Sequence, residues 1–397
     1  MGWWWALAAC DGRPEPAGPA PAPATVATPA PAPAPEPDTG PTDPCVDDDL
    51  DGVTVCAGDC DDADPAVFPS VPDGCGAADA DCDHLPDAVA PGDWACGWCA
   101  SPDDWLATPY AVTDALPCEL DPPATLECPR PHQVVTRTDL PLRPTLVLFF
   151  PPGPGTRCDH VLAWIAHAGF PVIQVAFPDR VADAACLGSA DPTCGGRVLE
   201  ELLLGEDRGP EIDIPFDDGV VGRTAAVLAH LDQLQPEVGW GRFLIDGAPD
   251  WPSIVIAGWS DGGILASMAA KHLPIRATLL IAAPGGVGDG SVLTPWMTEP
   301  FVTPPEAMWA VRHVYDAQGA FMDAAWDQFG IAGPPTLFYT APPPWATHRV
   351  LSDAPPTDGF CSAHGAIASD LCMDLRHAEL YVPLMCEIAA QPAVVAP

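Results

Sequence analysis

Positive charge is what this 397-residue chain most lacks: 15 Lys and Arg stand against 55 Asp and Glu, a formal charge of −40. Lys271 is the only lysine, and no basic residue falls between Arg13 and Arg130. A surface of that sign repels nucleic acid and anionic headgroups, which excludes nucleic acid as a partner. It suits divalent cations or a salty medium instead. Paired C-x-x-C spacing is missing too. There are 16 cysteines, but Cys96-Gly97-Trp98-Cys99 stands alone as a C-x-x-C, so a cytosolic zinc protein is excluded. Scattered cysteines in this number point to disulfides and an exported location. Hydrophobic residues are not scarce. At 48% they suffice for one large domain with appendages.

Residues 1–10 form a short apolar run that ends in Leu7-Ala8-Ala9-Cys10 and has no Lys or Arg ahead of it, unlike an ordinary signal peptide. The tetrapeptide resembles the lipobox of bacterial lipoproteins. That resemblance implies cleavage before Cys10, a lipid on its thiol, and the membrane as a partner through that anchor. Residues 11–44 are rich in Pro and Ala, cannot bury a core, and read as an extended polyproline-II-like spacer.

Residues 45–83 change character. Asp47, Asp49 and Asp51 alternate ahead of Gly52, and Asp59, Asp61, Asp62 and Asp64 follow. Alternating carboxylates let one loop wrap a hard cation such as Ca²⁺. The twelfth loop position is Gly58 rather than Glu, so this is no EF-hand. The stretch resembles the Asp-rich calcium repeats of bacterial surface proteins, whose closing half is matched by Cys75, Asp79, Asp81, Cys82 and Asp83. The resemblance implies structural Ca²⁺ held by these aspartates. Residues 84–128 carry four more cysteines, Cys96, Cys99, Cys118 and Cys128, in a loop-rich lead-in.

From residue 129 to about 390 the pattern is regular. Apolar runs at 132–138, 145–150, 170–177, 254–257, 277–283, 307–314 and 335–340 read as strands, and 160–167, 220–235 and 263–272 as helices. Strands alternating with helices predict an α/β domain, a mostly parallel sheet covered by helices on both faces. Within it, Gly258-Trp259-Ser260-Asp261-Gly262 is a G-x-S-x-G between an apolar strand and a helix. That context makes the pentapeptide a nucleophile elbow, a turn tight enough to require glycine at its flanks. Ser260 is the expected nucleophile, at the sheet's carboxyl edge beside a helix N-terminus that favours a developing oxyanion.

A serine nucleophile needs a base, and the base an orienting carboxylate, in chain order Ser, Asp/Glu, His for this kind of elbow. Asp316, at the end of a strand, is the leading acid and Asp289, in a glycine-rich turn, the runner-up. Asp323 and Asp327 fall on a helix and read as surface charges. His364, on a Gly/Ser loop after the last strand, is preferred to His348 (loop) and His377 (helix surface), and His313 reads as packed inside its strand. The oxyanion hole should use the amide of Asp261 and one from the loop at 151–156. Prolines there have no N–H, which leaves Gly153 or Gly155. Trp259, Trp296 and Trp345 read either as pocket lining or as core.

With these residues in place, residues 146–381 resemble a family of exported bacterial α/β-hydrolases, largely uncharacterised and distantly akin to cutinase-type esterases. The matching features are Cys186, Cys194 and Arg197, the elbow with its WGRFL lead-in, and Thr294-Pro295-Trp296. They continue through His313 and Asp316, a THRV segment ending at Asp353, and Ala363-His364-Gly365. The resemblance implies an α/β-hydrolase fold, a Ser260–Asp316–His364 triad acting on small-molecule, lipid or polymer esters, and disulfides Cys186–Cys194 and Cys361–Cys372. It departs around the serine, where the family has His and Gln and this chain has Trp259 and Asp261. A carboxylate beside the oxyanion site defines the competing class, a calcium-dependent surface binding or adhesion lipoprotein with an inactive hydrolase-like domain.

Overall fold

The structure is a computed structural model. It describes residues 110–116, 131–137, 142–152, 158–178, 185–186, 189–236, 238–285, 293–338, 345–356, 361–374 and 377–390. Cys10, the Pro/Ala-rich spacer, the aspartates of the expected calcium module, Asp289 and the loop glycines Gly153 and Gly155 lie outside the described residues.

The described strands are β1 (Tyr110–Leu116), β2 (His132–Arg137), β3 (Leu146–Phe150), β4 (Val172–Gln174), β5 (Leu244–Ile245), β6 (Ala248–Pro249), β7 (Ile254–Trp259), β8 (Ala277–Ile281), β9 (Met308–His313), β10 (Thr336–Leu337) and β11 (Arg349–Ser352). Nine of them form one sheet in the order β1-β2-β4-β3-β7-β8-β9-β11-β10, while β5 and β6 make a separate antiparallel pair. β2 runs antiparallel to β1 and β4, and the remaining pairings in the large sheet are parallel. The helices are α1 (Asp159–His167), α2 (Cys194–Leu204), α3 (Val220–Leu234), α4 (Asp261–His272), α5 (Gly319–Phe329) and α6 (Ala378–Ala390).

Composition explains the centre of the sheet. LVLFF, IVIAGW and ATLLI are buried at every position, so the strands β3, β7 and β8 are covered on both faces, as parallel strands require. From β3 the chain crosses outward to β4, and β7 then takes the other flank of β3. That reversal is a topological switch point, where open α/β sheets hold their ligands beyond the strands' carboxyl ends. A mostly parallel sheet of this order, with an antiparallel leading edge and a strand–serine–helix turn at the switch, is the α/β-hydrolase fold.

The expected strands are present, most of them shortened. Among the described residues of the expected strand at 335–340, only the two of β10 are paired, directly after Pro334 and Pro335, which offer no N–H to a ladder. Besides the short pair β5 and β6, two strands and one helix escape a periodicity reading. β1 lies in the cysteine-rich lead-in, and α2 opens on two glycines after Cys194. β11 looks too polar to be central, yet it is buried because Arg349 spends its guanidinium inward. Its Nε donates to the Ile331 carbonyl at 2.8 Å and it pairs with Asp327. Among the described residues no helix is long and apolar enough to cross a membrane.

Candidate active site

Ser260 sits at the turn between β7 and α4 with φ 55° and ψ −119°, a left-handed conformation that a serine rarely adopts. Its neighbours dictate it. A Cβ at Gly258 would fall 2.2 Å from the Gly262 carbonyl oxygen, and one at Gly262 would fall 2.0 Å from the Phe150 carbonyl oxygen. The elbow is thus pressed against its own helix and against the end of β3. Gly263 is equally obligatory, for its Cβ would meet the Ala283 side chain at 2.3 Å. Sequence reasoning accounted for the first two glycines and missed the third, although the doubled Gly262-Gly263 was visible. The Ser260 amide donates to the Ile281 carbonyl at 3.0 Å, which fixes the turn to β8.

Asp316 lies three residues beyond the end of β9 rather than at the strand's last position. The turn is shaped by His313, which is buried. Its Nδ1 accepts the Tyr315 amide at 3.1 Å, so Nε2 carries the proton and donates to the Ala354 carbonyl at 3.0 Å. Arg312 braces the same turn. It donates to the His313 carbonyl at 3.0 Å and forms a two-pronged pair with Asp323 at 3.0 and 2.8 Å. Asp323 and Asp327 are therefore not idle surface charges, since each holds an arginine that reaches into the fold.

His364 comes from the stretch closed by the Cys361–Cys372 disulfide. Its Nδ1 is 2.7 Å from Asp316 Oδ2 and its Nε2 is 2.9 Å from Ser260 Oγ. The Asp316 carboxylate only accepts, so Nδ1 donates to it, and Nε2 is left to accept the serine hydroxyl. The other Asp316 oxygen accepts the Gln318 amide at 2.9 Å. Burial pushes the Asp316 carboxyl up. The hydrogen bond and charge of His364, the Gln318 N–H and nearby Arg312 outweigh that, and hold it below its ordinary value.

Long-range contacts hold the histidine loop. Asp370 accepts the amides of Asp159 and His160 at 2.9 and 3.0 Å, capping the start of α1, and also contacts His160 Nδ1 at 3.0 Å. Behind the loop, the Tyr381 hydroxyl donates to the Ile367 carbonyl at 2.7 Å, and its ring stacks on Trp164. The second disulfide, Cys186–Cys194, closes the approach to α2.

The two rival histidines are structural. His348 stacks on Trp309 at 3.7 Å between ring centroids and contacts the Met308 carbonyl, and burial lowers its basicity. His377 is not on a helix surface as its position suggested. It is fully buried, with Nε2 2.8 Å from Ser352 Oγ. Trp296 and Trp345 belong to the core. Trp259 belongs to it too, and its ring also lies 5.9 Å from the His364 ring. Asp261 is the first residue of α4. Among the described residues no group of three or more His, Cys, Asp or Glu is arranged to hold a metal.

No family model matches the sequence, nor does any curated protein. Among solved structures, one similar chain is described as a dienelactone hydrolase of Klebsiella pneumoniae. It is 16% identical, the alignment covers 61% of this chain and 84% of that one, and the TM-score is 0.31. Another is an esterase of Pyrobaculum calidifontis, 15% identical over 57% of this chain and 73% of that one, with a TM-score of 0.30.

Proposed function

We propose that the protein is an extracytoplasmic serine hydrolase of carboxylic esters. One observation carries the reading: the unbroken chain Asp316–His364–Ser260, with steps of 2.7 and 2.9 Å, at a serine forced into the left-handed turn of an elbow. In this reading Ser260 Oγ attacks the ester carbonyl while His364 Nε2 takes its proton. The same imidazole then protonates the departing alkoxide, leaving an acyl-enzyme. Water, deprotonated by His364, releases the acid. Asp316 keeps Nδ1 protonated and the ring oriented. The developing oxyanion would take the Asp261 amide, at the N-terminus of α4, and an amide of Gly153 or Gly155. Substrates would be small-molecule, lipid or polymer esters, with Cys10 as a lipid anchor to a membrane.

The test is labelling with a fluorophosphonate. Wild-type protein labels at one site and Ser260→Ala does not; a folded wild-type chain that stays unlabelled would overturn the reading. Structural Ca²⁺ in residues 45–83 is a separate proposal, supported by the spacing of their aspartates. Millimolar Ca²⁺ should raise the thermal stability of the full chain, and calorimetry without a heat of binding would end that idea.

A further inference from the structure

The residue before the nucleophile has a use of its own. Trp259 is 5% exposed, and its ring centroid lies 5.9 Å from that of His364 with the planes 33° apart. Its indole Nε1–H is buried and finds no hydrogen-bond acceptor among the described residues. A buried donor without a partner destabilises the fold. Phenylalanine would fill much of the same space without that penalty, so the hydrogen-bonding edge of the indole does not explain the tryptophan. Its π face does. Indole attracts a cation over its face more strongly than any other side chain, at separations up to about 6 Å, and the imidazole of His364 becomes a cation as it takes the serine proton.

We propose, building on the hydrolase reading, that Trp259 is a positioning residue that holds the His364 ring and favours the imidazolium formed during catalysis. The other groups on that ring are Asp316 at 2.7 Å, with Arg312 behind it, and Ser260 at 2.9 Å, and the Asp261 carboxylate is next in the chain after the serine. All are unchanged in Trp259 variants, so any change in protonation behaviour reports the indole.

The experiment compares wild type, Trp259→Phe and Trp259→Leu by 4-nitrophenyl acetate turnover and fluorophosphonate labelling across pH. Trp259→Leu should lower kcat by about 5- to 30-fold with KM little changed. Its acid limb should move to lower pH, because an imidazole without the π face gives up its proton earlier. Trp259→Phe, which keeps a ring, should fall between. A uniform loss at every pH with the limb in place, or no loss at all, overturns the proposal. NMR titration of the His364 ring in a Ser260→Ala background tests the same point without activity. There, proton uptake at lower pH in the Trp259→Leu chain supports the proposal, and an unchanged midpoint rejects it. Absent turnover and labelling in wild type would count against the hydrolase reading alone, and the titration would still decide the role of Trp259.

Discussion

The two halves of the site are built by different physics. Ser260 is held by its immediate neighbours: three glycines within six residues, a buried strand before it and a helix after it. His364 has almost no regular structure of its own beyond a short 3-10 turn, and its position comes from partners 48, 104 and more residues away. Steric exclusion fixes the serine, and a set of individually modest tethers fixes the histidine. The first kind of site fails abruptly when touched. The second should loosen by degrees.

Gly262→Ala is the harshest way to break that contrast. Its methyl would occupy space 2.0 Å from the Phe150 carbonyl oxygen and 2.5 Å from that of Pro151. Overpacking of this kind costs about 1–3 kcal/mol or more, and here it displaces the serine itself. Thermal unfolding and fluorophosphonate labelling should fall together. Labelling at the wild-type rate would show that the elbow is more forgiving than its contacts imply.

Removing the Cys361–Cys372 bridge with serines probes the other half. A bridge closing a loop of this length stabilises by about 2–3 kcal/mol on the chain-entropy view. The fold should survive with a lower melting temperature, and labelling should slow without vanishing because Asp370 and Tyr381 still hold the segment. Complete loss of labelling in a folded chain would mean that the bridge alone sets the imidazole.

The smallest effect concerns Glu387 on α6, the helix that also supplies Tyr381. Burial raises its carboxyl from 4.5 to about 7, against the opposing hydrogen bond from the Trp345 amide. The folded state therefore holds a proton that the unfolded chain releases above 4.5, so stability declines as pH rises from 4.5 to about 7 and levels off beyond. Glu387→Gln should flatten that decline in chemical-denaturation curves taken at several pH values. An unchanged slope would place the titration elsewhere.

Much of the elbow could be read directly from residues, because Gly258, Ser260 and Gly262 express their demands within one turn. The choice of Asp316 and His364 needed chain order and loop character, and the geometry joins those two to the serine. What stayed illegible depended on distant partners. β11 hides because Arg349 is neutralised by Asp327 across 22 residues. His377 passes for a surface residue because its partner Ser352 sits 25 residues earlier, at the end of β11. Local pattern carries no trace of such pairings.

One carboxylate, that of Asp370, serves both as the stopper on the first turn of α1 and as the clasp of the histidine loop, across 211 residues of sequence. The imidazole cannot therefore drift without tugging the helix that packs against the sheet's leading edge. A substitution deep in α1, far from Ser260, will be felt as a misaligned His364.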